Sequence, residues 1–360
     1  MKIIFDYQIF LKQSFGGPSR YFVELNKHLQ YLNVDSKIIS PIHINNHLSI
    51  SKKSINIKLN NFYLSSALSR LNEHITSFYL KNKNKLIIHP TYYNFDYLFS
   101  NKNKKVITVF DLIHEKFYSQ ERVKKYKDEK FRALNQSDHI ICISENTKRD
   151  LIDHYNVEES KIKVTYLATD VKKKKNFIRK DSSTKPFILY VGNRHDYKNF
   201  EIILKAFNAN KEIKNNFLLF FFGGGDFSKN EIRLFKKNNF DSGQFRFLGN
   251  NEEILGSLYS SAFCLIYPSL YEGFGLPILE AMKNSCPVIS SKTSSLPEVG
   301  GDAVEYFDPQ EKDTLIEAIN KIAHSESLRK TMINRGYERS KTFSWDKTAL
   351  ETKKVYDSLF

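Results

Sequence analysis

Short, unbroken apolar runs recur along the chain, at residues 3–5, 86–88, 106–110, 139–144, 187–191, 217–222, 245–248, 262–267 and 288–290. As a set they lack the polar alternation of a sheet with one wet face. That is the pattern of strands covered on both sides in a parallel sheet. The intervals between them hold amphipathic helix patterns. Over 20–32, Tyr21, Phe22, Leu25, Leu29 and Leu32 fall on one face, and over 199–208 Phe200, Ile203, Ala206 and Phe207 do the same. Strand and helix alternating in this way predict a doubly wound α/β architecture.

At 360 residues the chain is long enough for two such domains. The natural boundary is 168–186, which holds lysines at 172–175, then Asp181-Ser182-Ser183-Thr184-Lys185-Pro186, and no apolar period. Two Rossmann-like domains are therefore expected, at 1–170 and 186–344. The tail from 311 reads as helical throughout, and its last segment, 345–360, is expected to pack back on the first domain.

Lys and Arg number 55 against 40 Asp and Glu, a formal net charge of +15. An excess of this size points to nucleic acid, a membrane surface or phosphorylated small molecules, or else to a solvated lysine-rich surface. No basic–aromatic motif is present, which makes nucleic acid the weakest of these partners. Cys142, Cys264 and Cys286 each sit among apolar residues without metal-finger spacing, and read as small buried hydrophobes in a reducing compartment. Residues 1–6 meet an acid too early to resemble a signal peptide. No stretch approaches the ~18 apolar residues of a membrane span. A cytoplasmic protein is expected, with any membrane contact made from its surface.

The most informative stretch is Tyr267-Pro-Ser-Leu-Tyr-Glu-Gly-Phe-Gly-Leu-Pro-Ile-Leu-Glu280. A buried strand ends at Tyr267, and a loop follows with Gly273 and Gly275. Pro277 sits where helices start well, because its missing amide hydrogen would have no partner there. A glycine loop feeding a helix N-terminus just past a strand's carboxyl end is an anion site, at the place where open α/β sheets bind ligands. Glu272 and Glu280 flank it. A carboxylate beside a phosphate repels it unless it has other work, such as accepting hydrogen bonds from vicinal sugar hydroxyls. A ligand with phosphates between two hydroxylated rings, a nucleotide-sugar, would satisfy the whole set. Arg194 and Lys198, four apart after the strand at 187–191, could hold its diphosphate, Arg as a fork and Lys as a point charge, or could be a solvated basic loop.

This stretch resembles the Glu-x7-Glu motif of retaining glycosyltransferases of the GT-B fold, specifically family 4. Three further stretches are similar to that family: Ser14-Phe15-Gly16-Gly17-Pro18-Ser19-Arg20-Tyr21, Tyr190-Val191-Gly192-Asn193-Arg194-His195-Asp196-Tyr197-Lys198-Asn199, and Ser294-Ser295-Leu296-Pro297-Glu298-Val299-Gly300-Gly301-Asp302-Ala303. The resemblance implies an acceptor-binding first domain and a donor-binding second one. It implies Glu280 on the ribose hydroxyls and Glu272 on the donor sugar. Backbone amides of Phe274, Gly275 and Leu276 would lie near sugar and phosphate, and Gly249 near the base. Gly16 and Gly17 would face the diphosphate or the transferred sugar, though a plain tight turn explains them equally. The turn at 223–225 lacks a G-x-G-x-x-G fingerprint and reads as structural.

Where many members of the family carry a histidine, this chain has Phe110, directly before Asp111. Asp111 and His114 are the expected replacements for its sugar contact and proton handling. The segment 89–93 is placed along the acceptor cleft, and Ser144 reads as a helix cap without chemistry.

The resemblance implies retaining transfer of a hexosyl group from GDP-mannose or a UDP-hexose to a lipid-linked oligosaccharide, in bacterial surface-polysaccharide synthesis. The expected catalytic set is Glu272, Arg194, Lys198, His114 and Asp111, with no metal and no cofactor. Lysine runs at 81–85, 102–105 and 124–130 are assigned to the anionic inner face of the membrane. Two alternatives share the composition: a GT-B nucleotide-sugar epimerase or hydrolase, and a basic nucleic-acid-binding protein. A nicotinamide-dependent dehydrogenase is disfavoured, because no G-x-G-x-x-G follows the first strand.

Overall fold

The computed structural model describes residues 2–48, 57–59, 65–81, 83, 85–94, 96–98, 103–172 and 185–360. The chain divides into two units, one made of Met1–Leu167 with Ser344–Phe360, the other of Ala168–Phe343. Most of the lysine and Ser/Thr/Pro stretch expected to link the domains, 173–184, lies outside the described residues.

The first unit is built on β1 (Lys2–Phe5), β2 (Asp35–Ile38), β5 (Leu86–His89), β6 (Lys104–Val109), β7 (His139–Cys142) and β8 (Ile162–Val164). They form one six-stranded sheet in the order β2-β1-β5-β6-β7-β8, parallel throughout. A separate short pair joins β3 (Ile42–His43) to β4 (Ile57–Lys58). The sheet grows away from β1 in both directions, so a crevice opens at the carboxyl ends of β1 and β5. The buried Asp6 carboxylate closes the floor of that crevice. It accepts from Thr91 N (2.8 Å), Thr91 Oγ1 (2.6 Å), Gln8 Nε2 (2.6 Å) and Tyr97 OH (2.5 Å).

The helix Gly17–Tyr31 buries Tyr21, Phe22, Leu25 and Leu29, the apolar face read from the sequence, and starts three residues earlier than expected. The last helix, Trp345–Asp357, belongs to this unit and packs on Gly17–Tyr31. Thr348 Oγ1 donates to Tyr166 O (2.7 Å), and the Tyr21 and Trp345 rings lie 6.3 Å apart. His89 is a correction to the sequence reading. It does not line a cleft, because it is fully buried between Tyr356 OH (2.7 Å from Nδ1) and Thr108 Oγ1 (2.9 Å from Nε2). Burial pushes its pKa down to about 3, so it is neutral.

The second unit holds β9 (Phe187–Val191), β10 (Leu218–Phe222), β11 (Phe245–Phe247), β12 (Cys264–Tyr267), β13 (Val288–Ser291) and β14 (Glu305–Phe307). All are parallel, in the order β11-β10-β9-β12-β13-β14. This is the order of a dinucleotide-binding Rossmann sheet, with its switch point between β9 and β12. Ile188, Leu219, Phe221 and Ile266 join Ile203, Phe207, Phe235 and Ile319 from the covering helices in one core. The aromatic content explains its density, as in the parallel stack of Phe235 on Phe245 at 3.9 Å.

Candidate active site

The loops leaving β9 and β12 meet at the switch point of the second unit. Asn199 ends a short 3-10 turn in the left-handed region (φ 51°). From there its Nδ2 donates to Pro268 O (3.2 Å) and Pro309 O (2.8 Å), while Leu270 N donates to Tyr197 O (2.7 Å). Three strand-end loops are thereby fastened together. The fastening sets Lys198 Nζ 2.6 Å from Glu272 Oε1 and 3.5 Å from Tyr267 OH. Glu272 is held from behind: its amide donates to Ser294 Oγ (2.9 Å), and Ser295 Oγ donates to the carbonyls of Glu272 and Phe274 (2.9 Å each). Burial, then the neighbouring Glu272 charge, lifts the Tyr267 phenol well above its ordinary pKa, so it stays a donor.

Gly275 adopts φ 107° and is the N-cap of the helix Leu276–Lys283. A Cβ there would lie 2.8 Å from Leu296 Cδ2, so both backbone and space require glycine. With no side chain at the cap, the first-turn amides face the loop uncovered by the residue before them. One turn in, Glu280 is buried, accepting from Tyr259 OH (2.9 Å) and Thr169 Oγ1 (3.5 Å). Lys283 Nζ also bonds Thr169 O, and Asn284 Nδ2 reaches Val171 O (3.0 Å), so 169–171 is sewn to this helix.

Arg194 departs from expectation. Its guanidinium is buried and already committed: Nε to Glu231 Oε1 (2.5 Å), Nη1 to Gly223 O (2.8 Å), and Nη2 to Gly225 O (2.7 Å) and Asp226 O (3.2 Å). Gly223, Gly224 and Gly225 all have positive φ (83°, 75° and 74°), which curls their carbonyls around the cation. The geometry makes Arg194 the staple of that turn, whereas a phosphate fork would need its donors open. Gly249 (φ 78°) closes the same edge by accepting from Gly223 N (2.9 Å).

In the first unit, Gly16 is the extended N-cap of Gly17–Tyr31 (φ 166°), with Gly17 and Pro18 opening the helix. Phe110, which stands where the resemblance would have a histidine, packs edge-on against Tyr21 (5.4 Å) and Phe22 (5.9 Å). Asp111 Oδ1 accepts from Ile113 N (3.1 Å), and burial raises its pKa against the pull of Lys130. His114 stacks on Tyr126 at 4.2 Å, its Nδ1 buried without a partner, and burial lowers its pKa.

Beneath them lies a pair the sequence reading missed. Lys130, 0% exposed, donates to Glu115 Oε1 (2.6 Å) and to Asp111 O (3.2 Å), and Tyr155 OH donates to the same carboxylate (2.6 Å). Lys130 was assigned to a lipid-facing run. It is instead the buried support of the Asp111–His114 loop, and only its neighbours Lys124 and Lys125 are exposed.

Two tandem sequence profiles match the chain: the glycosyltransferase family 4 profile over 15–173 and the glycosyl transferases group 1 profile over 170–339. The O-antigen chain mannosyltransferase B of Escherichia coli is 28% identical over 289 residues, 73% of this chain and 75% of that protein. The O-antigen chain mannosyltransferase RfbU of Salmonella typhimurium is 27% identical over 332 residues, 87% of this chain and 88% of its own. A sucrose-phosphate synthase structure from Thermosynechococcus elongatus superposes with a TM-score of 0.80 at 19% identity, covering 100% of this chain and 99% of that one. The fold class is thus that of the GT-B glycosyltransferases, two Rossmann-like units in one chain. Within that class the chain belongs to the group 1, or family 4, glycosyltransferases.

The structure brings Lys198, Glu272, Gly275 and Glu280 into one strand-end cluster with Phe274 and Leu276. It sets Asp111 and His114 together in the first unit, while Gly16 and Gly17 open the helix Gly17–Tyr31 of the same unit. Residues that sequence reasoning missed, Tyr259, Thr169, Glu231 and Lys130, act through partners far along the chain, and no local pattern marks them.

Proposed function

We propose that this glycosyltransferase moves a hexosyl group, in the first instance mannose, from a nucleotide diphosphate-sugar to a hydroxyl of a lipid-linked oligosaccharide in surface-polysaccharide synthesis, with retention at the anomeric carbon. The observation that carries the reading is the Lys198–Glu272 pair at the switch point, next to a helix that starts on a bare Gly275 cap. The names of the O-antigen mannosyltransferase relatives support the sugar and the pathway.

In this reading the donor diphosphate lies against the helix N-terminus, and Lys198 meets the charge that grows on the leaving phosphate. Glu272, released from part of its ion pair, accepts from sugar hydroxyls. Glu280, positioned by Tyr259, accepts from the ribose. Arg194 acts indirectly by shaping the turn over which the donor lies. The anomeric C–O bond to phosphate breaks as the acceptor oxygen bonds on the same face, and the acceptor proton passes to the departing phosphate oxygen. The protein's part is positioning and electrostatics, with no cofactor in the scheme. The first unit, with Asp111 and His114 on their Lys130 support, would hold the acceptor.

Thermal-shift titration with GDP, UDP and dTDP, then their sugars, tests the donor, since a ligand that binds only the native state raises apparent stability. GDP-mannose should stabilise most, and Glu280→Ala should remove the effect. Equal indifference to every nucleotide would refute the reading.

A further inference from the structure

Glu272 and Lys198 are each fastened before they meet. Glu272 sits on a loop whose amide and carbonyl are bonded to Ser294 and Ser295, and its side chain is 10% exposed. Lys198 ends a turn that Asn199 ties to Pro268 and Pro309, and its side chain is 15% exposed. The ring centres of Tyr197 and Tyr267 lie 5.2 and 5.7 Å from Nζ and confine it further. The fold therefore fixes the backbone on both sides of the 2.6 Å pair and leaves only side-chain torsions to open it.

A phosphate that bonds Lys198 must take it from Glu272. One charge-assisted hydrogen bond is exchanged for another, and the phosphate then faces a carboxylate whose backbone holds it in place. For a bare diphosphate the exchange gains little. A diphosphate carrying a sugar fares differently, because the sugar hydroxyls donate to Glu272 where Lys198 no longer does. Both members of the pair then keep a partner, whereas a bare diphosphate leaves the buried Glu272 carboxylate short of one.

We infer that Glu272 is the residue by which the second unit tells a nucleotide diphosphate-sugar from the bare nucleotide diphosphate. It yields Lys198 when sugar hydroxyls replace that contact, and reclaims Lys198 once the sugar has been transferred, so that the product diphosphate is released rather than retained. The inference rests on the donor reading above, and it gives Glu272 a part in product release besides its contact with the sugar. Loss of the carboxylate should then tighten the hold on product, the opposite of what removing an ordinary ligand contact does.

The test is isothermal titration of the full chain with GDP, UDP and dTDP, and with the corresponding nucleosides, with no acceptor present. Glu272→Gln keeps the size of the side chain and removes its charge. It should bind the preferred diphosphate about tenfold more tightly than wild type, the order of one charge-assisted hydrogen bond freed from competition. The nucleoside offers Lys198 no anion and should bind both proteins alike. Glu272→Asp draws the carboxylate back from Lys198 and should tighten diphosphate binding less, in the same direction; unchanged circular dichroism would establish that both variants are folded. In a Lys198→Ala background, Glu272→Gln should recover only the smaller part of the gain that comes from like-charge repulsion. Wild-type binding of a diphosphate that neither variant improves overturns the inference and leaves the donor reading standing. An undiminished gain in the Lys198→Ala background overturns it too, because the pair would then not be the cause. Indifference of wild type and variants alike to all three diphosphates overturns the inference and the donor reading together.

Discussion

Replacing Glu231 tests whether Arg194 is a staple or a ligand. The side chains of Arg194 and Glu231 are 1% and 11% exposed, and Nε lies 2.5 Å from Oε1. Glu231 Oε2 also accepts from Ser228 N (2.6 Å), completing a capping box at the helix Lys229–Lys237. Glu231→Ala leaves a buried guanidinium without its counter-charge, a loss of about 3–5 kcal/mol, and removes a cap contributing about 1 kcal/mol. Because the carbonyls of Gly223, Gly225 and Asp226 still solvate the cation, a total near 4 kcal/mol is expected.

Glu231→Gln keeps the cap and an acceptor for Nε, and should cost about 2 kcal/mol. At about 2–4 °C per kcal/mol, the two variants should lower the melting temperature of the second unit by roughly 8–16 and 4–8 °C in scanning calorimetry. Burial alone would raise the pKa of Glu231, but its bonds to Ser228 and Arg194 bring it below the ordinary value. A depressed carboxylate stabilises the fold above its unfolded pKa and ceases to as pH falls through the folded one. The gap between wild type and Glu231→Gln should therefore close below about pH 4. A Glu231→Ala protein as stable as wild type would refute the staple, as would an Arg194→Ala protein of normal stability that no longer binds nucleotide.

Glu272→Gln and Lys198→Ala should each lower turnover by about 10²–10³-fold in a radiolabelled sugar-transfer assay, with circular dichroism unchanged. Gly275→Ala should destabilise by about 2–4 kcal/mol in guanidinium unfolding, from its φ of 107° and the contact with Leu296. Lys130→Met should cost about 3–5 kcal/mol by stranding Glu115, and the double variant Lys130→Met, Glu115→Leu should recover much of it. Burial works to raise the Glu115 pKa, but Lys130 overrides it and the net shift is downward. The Lys130→Met penalty should thus shrink in acid, as Glu115 protonates.

The parallel architecture was legible because buried strands such as Phe187–Val191 and Cys264–Tyr267 are unbroken apolar runs. The edge strands β2, β8 and β14 escaped notice: Asp35-Ser36-Lys37-Ile38 has a single apolar residue, and the other two are only three residues long. Around the candidate site, Glu272, Gly275 and Glu280 stood out because they share one loop and helix. Arg194 was misread because a cation after a strand looks the same in sequence whether it faces a ligand or an internal turn. Its counter-ion Glu231 lies 37 residues away. The Lys130–Glu115 pair was hidden for the same reason, inside a helix whose Lys124 and Lys125 are exposed. The burial of Asn72 in the helix Ser65–Leu80 could be seen only once β3 was in place beside it.

The first unit is written in two pieces of chain, Met1–Leu167 and Ser344–Phe360, with the whole second unit inserted between them. On the ribosome this imposes an order of assembly. The second unit is continuous and can close as soon as it has emerged. The first must wait, with the face of Gly17–Tyr31 and the Tyr356 side of His89 uncovered, until the helix Trp345–Asp357 has emerged. Nascent chains are therefore most exposed to chaperones and proteases at their amino-terminal half, and any premature stop before 345 would leave that half permanently unfinished.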